Sequence, residues 1–446
     1  MLKKSILIFI ACLPFLPAGA QNHLWTFQQC LDTAIHRNIS LNQSRLNTDL
    51  SQIALKQSMA SRYPNLSASA RDGLGFGRSL DPTSNLYVNR TTNSTSLGLS
   101  AAMDLFNGFQ LTNTILQNKM NLDAVKTDVE NVKNQVTLNI TTAYLQLLFQ
   151  YEILKTAKSQ ADATAIQVDR TEKLVNVGKV PESNLYTIRS QQATDNLAVV
   201  NAQGQLDLAK VTLEQLMEIP VIDSFEVVIP GFVSPSLILG QTNEDIYNKA
   251  LTTQPQIEGA SIRTKSADMG VKISQGARYP SVSLSGSANS SYSVYKYSSG
   301  SAYKAPEFFP EMWNNLGESV GLNISIPIYS NRQLKSNIER AKISALSARL
   351  DEQNIRLQLR KTIEQSYTDL RNSIKKYEAV QEQIRAADLS YKNMEKKYNV
   401  GMMTATDYLI EKNNFFQAES NGIQAKYDYI FKSKILDFYQ GKPIQF

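Results

Sequence analysis

The period of the apolar positions changes along this chain, and it changes in the same order twice. From Trp25 to Ala60 the pattern is helical, with no proline or glycine to interrupt it. After Tyr63-Pro64 the period drops to two. Leu66, Ala68, Ala70, Leu74 and Phe76 share one face, while Ser67, Ser69, Arg71, Gly73 and Gly75 share the other. A polar stretch from Gly77 to Asn93 reads as a loop. Period two then returns, with Leu97, Leu99, Ala101, Met103 and Leu105 opposite Ser96, Gly98, Ser100 and Asp104. Further on, Val282 and Leu284 alternate with Ser281, Ser283 and Ser285. Val320, Leu322, Ile324, Ile326 and Ile328 alternate with Gly321, Asn323 and Ser325. The pattern predicts two strands, a hairpin, in each half.

Long helical stretches follow each hairpin. Leu111 to Val175 contains no proline and no glycine, and Leu122, Val125, Val129, Val132 and Val136 recur at spacings of three and four. Leu334, Ile338, Ala341, Ala345 and Ala348 begin the corresponding stripe in the second half, which ends near Tyr398. These are heptad-like seams suited to packing on neighbouring helices. A helix of about 65 residues reaches about 95–100 Å, more than a globular domain needs. After Val177-Gly178 and Val400-Gly401 a second helix returns.

The halves are copies of one unit. Arg62-Tyr63-Pro64 matches Arg278-Tyr279-Pro280 at an offset of 216, and Asn176-Val177-Gly178 matches Asn399-Val400-Gly401 at an offset of 223. The register slips by seven residues between Pro280 and Val320. The reading divides the chain into a signal peptide over 1–20, a first repeat over 21–218, a linker over 219–243, a second repeat over 244–440 and a tail over 441–446. The first repeat carries a helix over 25–61, strands over about 65–77 and 94–106, and helices over about 109–175 and 183–217. The second carries a helix over about 244–276, strands over about 281–294 and 317–329, and helices over about 332–398 and 406–439. Within the linker, residues 225–229 have the composition of a short strand.

Composition narrows the function. Met1-Leu2-Lys3-Lys4, an apolar run to Leu16 and Ala18-Gly19-Ala20 form a secretory signal peptide. Cys12 lies in a poor lipobox, and lipoprotein processing there is a weaker alternative. No later run is long and apolar enough for a membrane helix. The formal charge of +6 falls to +4 without Lys3 and Lys4, and with no basic block nucleic-acid binding is disfavoured. Cys30 is the only cysteine after cleavage, which excludes an intrachain disulfide or a cysteine metal cluster. His23 and His36 read as surface residues. No nucleophile–base set, phosphate loop or metal-ligand spacing emerges, so the reading is neither an enzyme nor a cofactor protein.

The strands suit a membrane better than a soluble sandwich. A barrel strand spans a bilayer in about 9–11 residues, apolar outward and polar inward, but the smallest barrels need about eight strands. Four per chain cannot close alone, so several chains must share one barrel. Tyr292, Tyr295, Tyr297, Tyr303, Phe308, Phe309 and Trp313 cluster around the second loop, as residues near a membrane interface do. An aromatic ligand patch is the alternative reading of that cluster.

Asp104-Leu105-Phe106-Asn107-Gly108 and its weaker partner Pro327-Ile328-Tyr329-Ser330-Asn331 resemble the strand-to-helix turn of the TolC family of outer-membrane efflux channels. Val177-Gly178 followed by Asn184-Leu185, and Val400-Gly401 followed by Asp407-Tyr408-Leu409, resemble that family's helical-hairpin tips. The resemblance covers nearly the whole mature chain. It implies an α+β membrane protein of two structural repeats, each a β-hairpin plus long coiled-coil helices. It further implies a homotrimer with a shared twelve-stranded barrel in outer-membrane lipid and a periplasmic helical tunnel. The implied role is a passive exit duct for a tripartite efflux pump or type I secretion system, working with a periplasmic membrane-fusion adaptor and an inner-membrane pump of RND or ABC type. A surface structural or adhesive coiled-coil protein is the competing reading, and it leaves the paired hairpins unexplained.

By resemblance, Val177, Gly178, Lys179, Val400, Gly401 and Met402 are tip positions that contact the adaptor. Asp407, Tyr398, Asn184 and Met403 are candidates for the tunnel constriction. Asp407 matches an acidic ring position, although it also suits the cap of the returning helix. Asn184 stands where the first repeat would carry the partner carboxylate. Met403 replaces an arginine of the family pattern and Ile410 a second acid, which points to a more apolar gate. Tyr63, Pro64, Tyr279, Pro280, Asn107 and Gly108 mark strand–helix junctions. Each proline ends its helix and holds the residue before it extended.

Overall fold

The computed structural model describes residues 24–80, 85–221, 224–231, 242–297 and 305–446. The signal-peptide residues, Cys12, His23 and Tyr303 lie outside them. By contact density the chain divides into two compact units. The first comprises residues 1–39, 133–246 and 363–446; the second comprises 40–132 and 247–362.

The second unit holds a four-stranded antiparallel sheet. Its strands are β2 (Asn65–Leu80), β3 (Tyr87–Asn107), β5 (Ser281–Tyr297) and β6 (Gly317–Ser325), in the order β2-β3-β5-β6. Register puts Leu66 opposite Ala101, Ala70 opposite Leu97, Leu97 opposite Ser290, and Leu284 opposite both Met103 and Leu322. One face is therefore largely apolar, although Asp72, which accepts from Thr95, and Glu318 also lie on it. The other is lined by serine, with Ser67 bonded to Ser100 at 2.8 Å and Ser287 to Ser319 at 2.9 Å. The apolar face is not covered by a core: Val320 is 83% and Leu66 67% exposed.

Three details differ from the sequence reading. β2 and β3 run into the stretch 77–93 read as a loop, because pairing continues as far as Leu80 opposite Tyr87. β6 stops at Ser325 rather than 329, since Pro327 lacks the N–H that a ladder needs. A bulge between Asp104 and Phe106 brings Phe106 opposite Val282, so both Leu105 and Phe106 leave strict alternation. The second hairpin also carries a short helix, α7 (Phe308–Asn314), which the pattern did not show. It lies on the apolar face, where the Ser290 hydroxyl donates to the Met312 carbonyl at 2.5 Å and Tyr292 meets Phe308 edge-on at 5.0 Å.

Helices flank the sheet in sequence. The stretch read as one helix over 25–61 is two, α1 (Phe27–Arg37) and α2 (Ile39–Ala60), broken at Asn38. The stretch over 244–276 is likewise α5 (Asn243–Thr253) and α6 (Pro255–Gly276), because Pro255 suits a first helical position but not an interior one. In the second unit α6 bonds to α3 (Gln110–Asn176) through Ser266 and Asn121 at 2.6 Å. It meets α8 (Gln333–Asn399) through Thr264 and Glu352 at 2.8 Å and Arg349 and Asp268 at 2.9 Å.

In the first unit, Leu24–Trp25 is not helical but forms a two-residue strand, β1, parallel to β4 (Glu226–Val227). The Tyr144 hydroxyl donates to the Val228 carbonyl at 2.6 Å, and Phe446 stacks on Tyr144 at 5.8 Å. Cys30 is buried beside this cluster, and burial pushes its thiol up to about 12. Two further helices, α4 (Glu182–Leu216) and α9 (Ala405–Tyr439), follow the tips of α3 and α8.

Candidate functional site

Two groups of residues carry the function-bearing geometry, one in each unit. In the second unit, the four junctions between helix and strand obey two constructions, one entering the sheet and one leaving it, each used twice. Tyr63 N–H donates to the Ala60 carbonyl at 2.9 Å, and Tyr279 N–H to the Gly276 carbonyl at 3.0 Å. Both are final tight turns. Pro64 and Pro280 then lead into β2 and β5, and both tyrosines stay exposed. On the return, Gly108 and Phe109 both have positive φ, +63° and +62°. Asn331 and Arg332, their counterparts 223 residues on, do the same at +46° and +68°. Asparagine tolerates that region better than most residues. Glycine is needed at 108 for a second reason: a Cβ there would overlap the Gly276 carbonyl oxygen. The Asn107 side chain accepts from Leu111 N–H at 3.1 Å and so starts α3.

In the first unit, the two tips are built alike. Gly178 N–H donates to Val175 at 2.8 Å and Lys179 N–H to Leu174 at 2.9 Å, with Gly178 at φ +73°. Gly401 N–H donates to Tyr398 at 3.0 Å and Met402 N–H to Lys397 at 3.0 Å, with Gly401 at φ +79°. Each is a Schellman motif, which glycine permits because it carries no Cβ. Val177, Lys179, Val400 and Met402 project into solvent around them.

The side chains set on these backbones differ. At the second tip Thr404 is the N-cap of α9, not Asp407. The Asp407 N–H donates to Thr404 Oγ1 at 3.2 Å, and that hydroxyl donates to Asp407 Oδ2 at 2.6 Å. Asp407 thus occupies the first turn, exposed, where the helix dipole favours an anion. Tyr398 turns the other way. It stacks on the buried Tyr408 at 4.9 Å and packs on a cluster of Ile188, Ala405 and Leu409. Burial, then the bond to Tyr391, raises the Tyr408 hydroxyl above its ordinary range. At the first tip Pro181 is the cap, with no side-chain bond, and Asn184 N–H donates to the Pro181 carbonyl at 3.1 Å. Asn184 and Met403 are half-buried.

Sequence reasoning missed a buried ion pair. Lys412 on α9 and Asp195 on α4 meet at 2.9 Å, with side chains 0% and 1% exposed. Thr164 on α3 accepts from Lys412 and donates to Asp195, while Gln160 and Gln191 donate to the second carboxylate oxygen at 2.9 and 2.8 Å. Burial pulls the Lys412 ammonium down, and Asp195 opposes that shift. No signal in the sequence distinguishes these residues from the many solvated charges on neighbouring turns.

Comparisons with known proteins agree on one family. The family model described as outer membrane efflux protein matches residues 30–217 and again 246–441. The chain is 25% identical to the outer membrane protein TolC of Escherichia coli K12 over 342 residues, covering 76% of this chain and 68% of that protein. It is 22% identical to the outer membrane efflux protein BepC of Brucella suis over 414 residues, covering 92% and 84%. In fold it is similar to the CmeC outer membrane channel of Campylobacter jejuni, with a TM-score of 0.76 at 17% identity over 94% of this chain and 86% of that one. It is also similar to the MtrE outer membrane channel of Neisseria gonorrhoeae, with a TM-score of 0.67 at 16% identity over 93% and 88%.

Proposed function

This chain belongs to the outer membrane efflux protein family, and from that premise we propose that three copies close one twelve-stranded barrel above a shared periplasmic tunnel. The protein is an outer-membrane exit duct for efflux, a channel rather than an enzyme. The observation that carries the shared barrel is the sheet. Among the described residues it has four strands, an apolar face left largely exposed beside the short α7, a serine-lined opposite face and two unpaired edges, β2 and β6. Lipid does not tolerate open edges, and a barrel interior is polar. Three sheets joined edge to edge satisfy both demands, with serine facing the water-filled lumen.

The tips divide the remaining work. The exposed Val177, Lys179, Val400 and Met402, held by Gly178 and Gly401, are the surface for a periplasmic adaptor that links the duct to an inner-membrane pump. Asp407, with Asn184 and Met403 nearby in the sequence pattern, supplies the constriction. Three copies of Asp407 at one narrowing form an anionic ring that concentrates cations. Tyr398 serves this arrangement from behind, by stacking on Tyr408 and fixing the first turn of α9.

Detergent-purified protein should behave as a trimer by mass and conduct ions in planar bilayers. Asp407→Asn should lower the cation-to-anion permeability ratio severalfold while leaving the trimer intact. A stable water-soluble monomer without conductance would overturn the reading.

A further inference from the structure

The structure contains two hairpins whose registers are related by the sequence repeat. In the first, Ser67 lies opposite Ser100. Moving these residues by the repeat offsets, 216 for the first strand and 223 for the second, gives Ser283 opposite Asn323, which is the pairing present in the second hairpin. The repeat therefore transfers strand register without slippage. A third seam, β3 with β5, joins one hairpin to the next within the chain, and there Leu97 lies opposite Ser290 and Ser100 opposite Ser287.

We propose that β6 of one copy pairs with β2 of the next in the register that this internal seam dictates, with Val320 opposite Leu74, Asn323 opposite Arg71 and Ile324 opposite Ala70. This rests on the shared barrel proposed above. In such a barrel six equivalent hairpins alternate with six seams. A closed barrel needs a consistent stagger between neighbouring strands, so the seam between copies repeats the seam within a copy. Three observations agree. All of β6, Gly317–Ser325, falls opposite residues 77–69, inside β2. On the lipid side Val320 meets Leu74 and Ile324 meets Ala70, while Leu322 meets Asp72 and Glu318 meets Phe76; on the lumen side Asn323 and Ser325 meet Arg71 and Ser69. A slip of one residue would set Val320 against Gly73 or Gly75 and turn β6 inside out.

The register is read by paired cysteines in the full-length chain. Asn323→Cys is combined in turn with Ser69→Cys, Arg71→Cys and Gly73→Cys, and Ile324→Cys with Ala70→Cys. The protein is purified in detergent, oxidised, and run on non-reducing gels. Of two adjacent positions in an antiparallel ladder, one is the closer, non-hydrogen-bonded type, so the two proposed pairs sample both. Ser100→Cys with Ser287→Cys, whose pairing is present within the chain, calibrates the yield. Cys30 is buried, so it does not compete. Residues 71 or 70 should give a covalent trimer in severalfold greater yield than 69 or 73. A two-residue slip adds about 6–7 Å along the strand, which carries a pair beyond the ~7 Å limit for a disulfide. A trimer by mass that crosslinks best through 69 or 73 overturns the register and leaves the shared barrel standing. Absence of a trimer by mass overturns the barrel itself.

Discussion

The sheet and the helical tips obey opposite rules. In the sheet, large apolar side chains are outside: Val320 is 83% and Phe76 76% exposed. In the unit that carries the tips, charge is inside: Lys412 and Asp195 are sealed from solvent, bonded to each other and to Thr164, Gln160 and Gln191. The difference is one of solvent. Exposed leucine and valine are stable where the surroundings are hydrocarbon, and the polar groups that must avoid hydrocarbon then collect on the opposite, serine-lined face. A helical unit bathed in water can bury an apolar core freely. There a buried ion pair persists only because geometry satisfies nearly every donor and acceptor it brings.

The largest effect should come from breaking that pair. Lys412→Met leaves Asp195 buried and unpaired, at a cost of about 3–5 kcal/mol. Urea unfolding followed by helical circular dichroism measures it. Adding Asp195→Leu should recover most of the loss, and failure to recover would mean that the pair does more than satisfy itself. The sheet offers the next test. Val320→Arg, opposite Gly286 and well inside the strands, places charge on the lipid face and should cost about 2–4 kcal/mol near mid-depth. Ser319→Arg, one residue away on the serine-lined face, should cost much less. Heat resistance of the oligomer on gels compares the two, and equal losses would contradict the assignment of faces. The smallest effect is at the water-exposed tip, where Thr404→Ala removes a helix cap worth about 1 kcal/mol. Faster hydrogen exchange in the first turn of α9 reports it. Pro181→Ala at the other tip, which has no side-chain cap bond to lose, should change exchange less.

Much of this architecture was legible in residue patterns because it depends on local rules. Alternation of serine with leucine or valine made strands, and uninterrupted periodic stretches made helices of 67 residues. Glycines at 178 and 401 read as tips because each follows a long helix in a Val-Gly motif that resembles the family pattern. Other features were hidden. The break at Asn38 carries no proline or glycine, and the short helix α7 is too brief to show a period. Thr404, not Asp407, caps α9 because backbone geometry decides which of two suitable residues stands at the boundary.

The sequence by itself determined the duplication, the offset between its copies, the alternation of faces and the family motifs. Each of these depends on spacing along the chain, and spacing is what a sequence records. Only the tertiary structure decided that Lys412 meets Asp195 across 217 residues, that Tyr398 stacks inward on Tyr408, and that β3 and β5 join with Leu97 opposite Ser290. Those facts depend on which helix faces and strand edges come together, and packing in three dimensions selects them from many pairings that the same spacing allows.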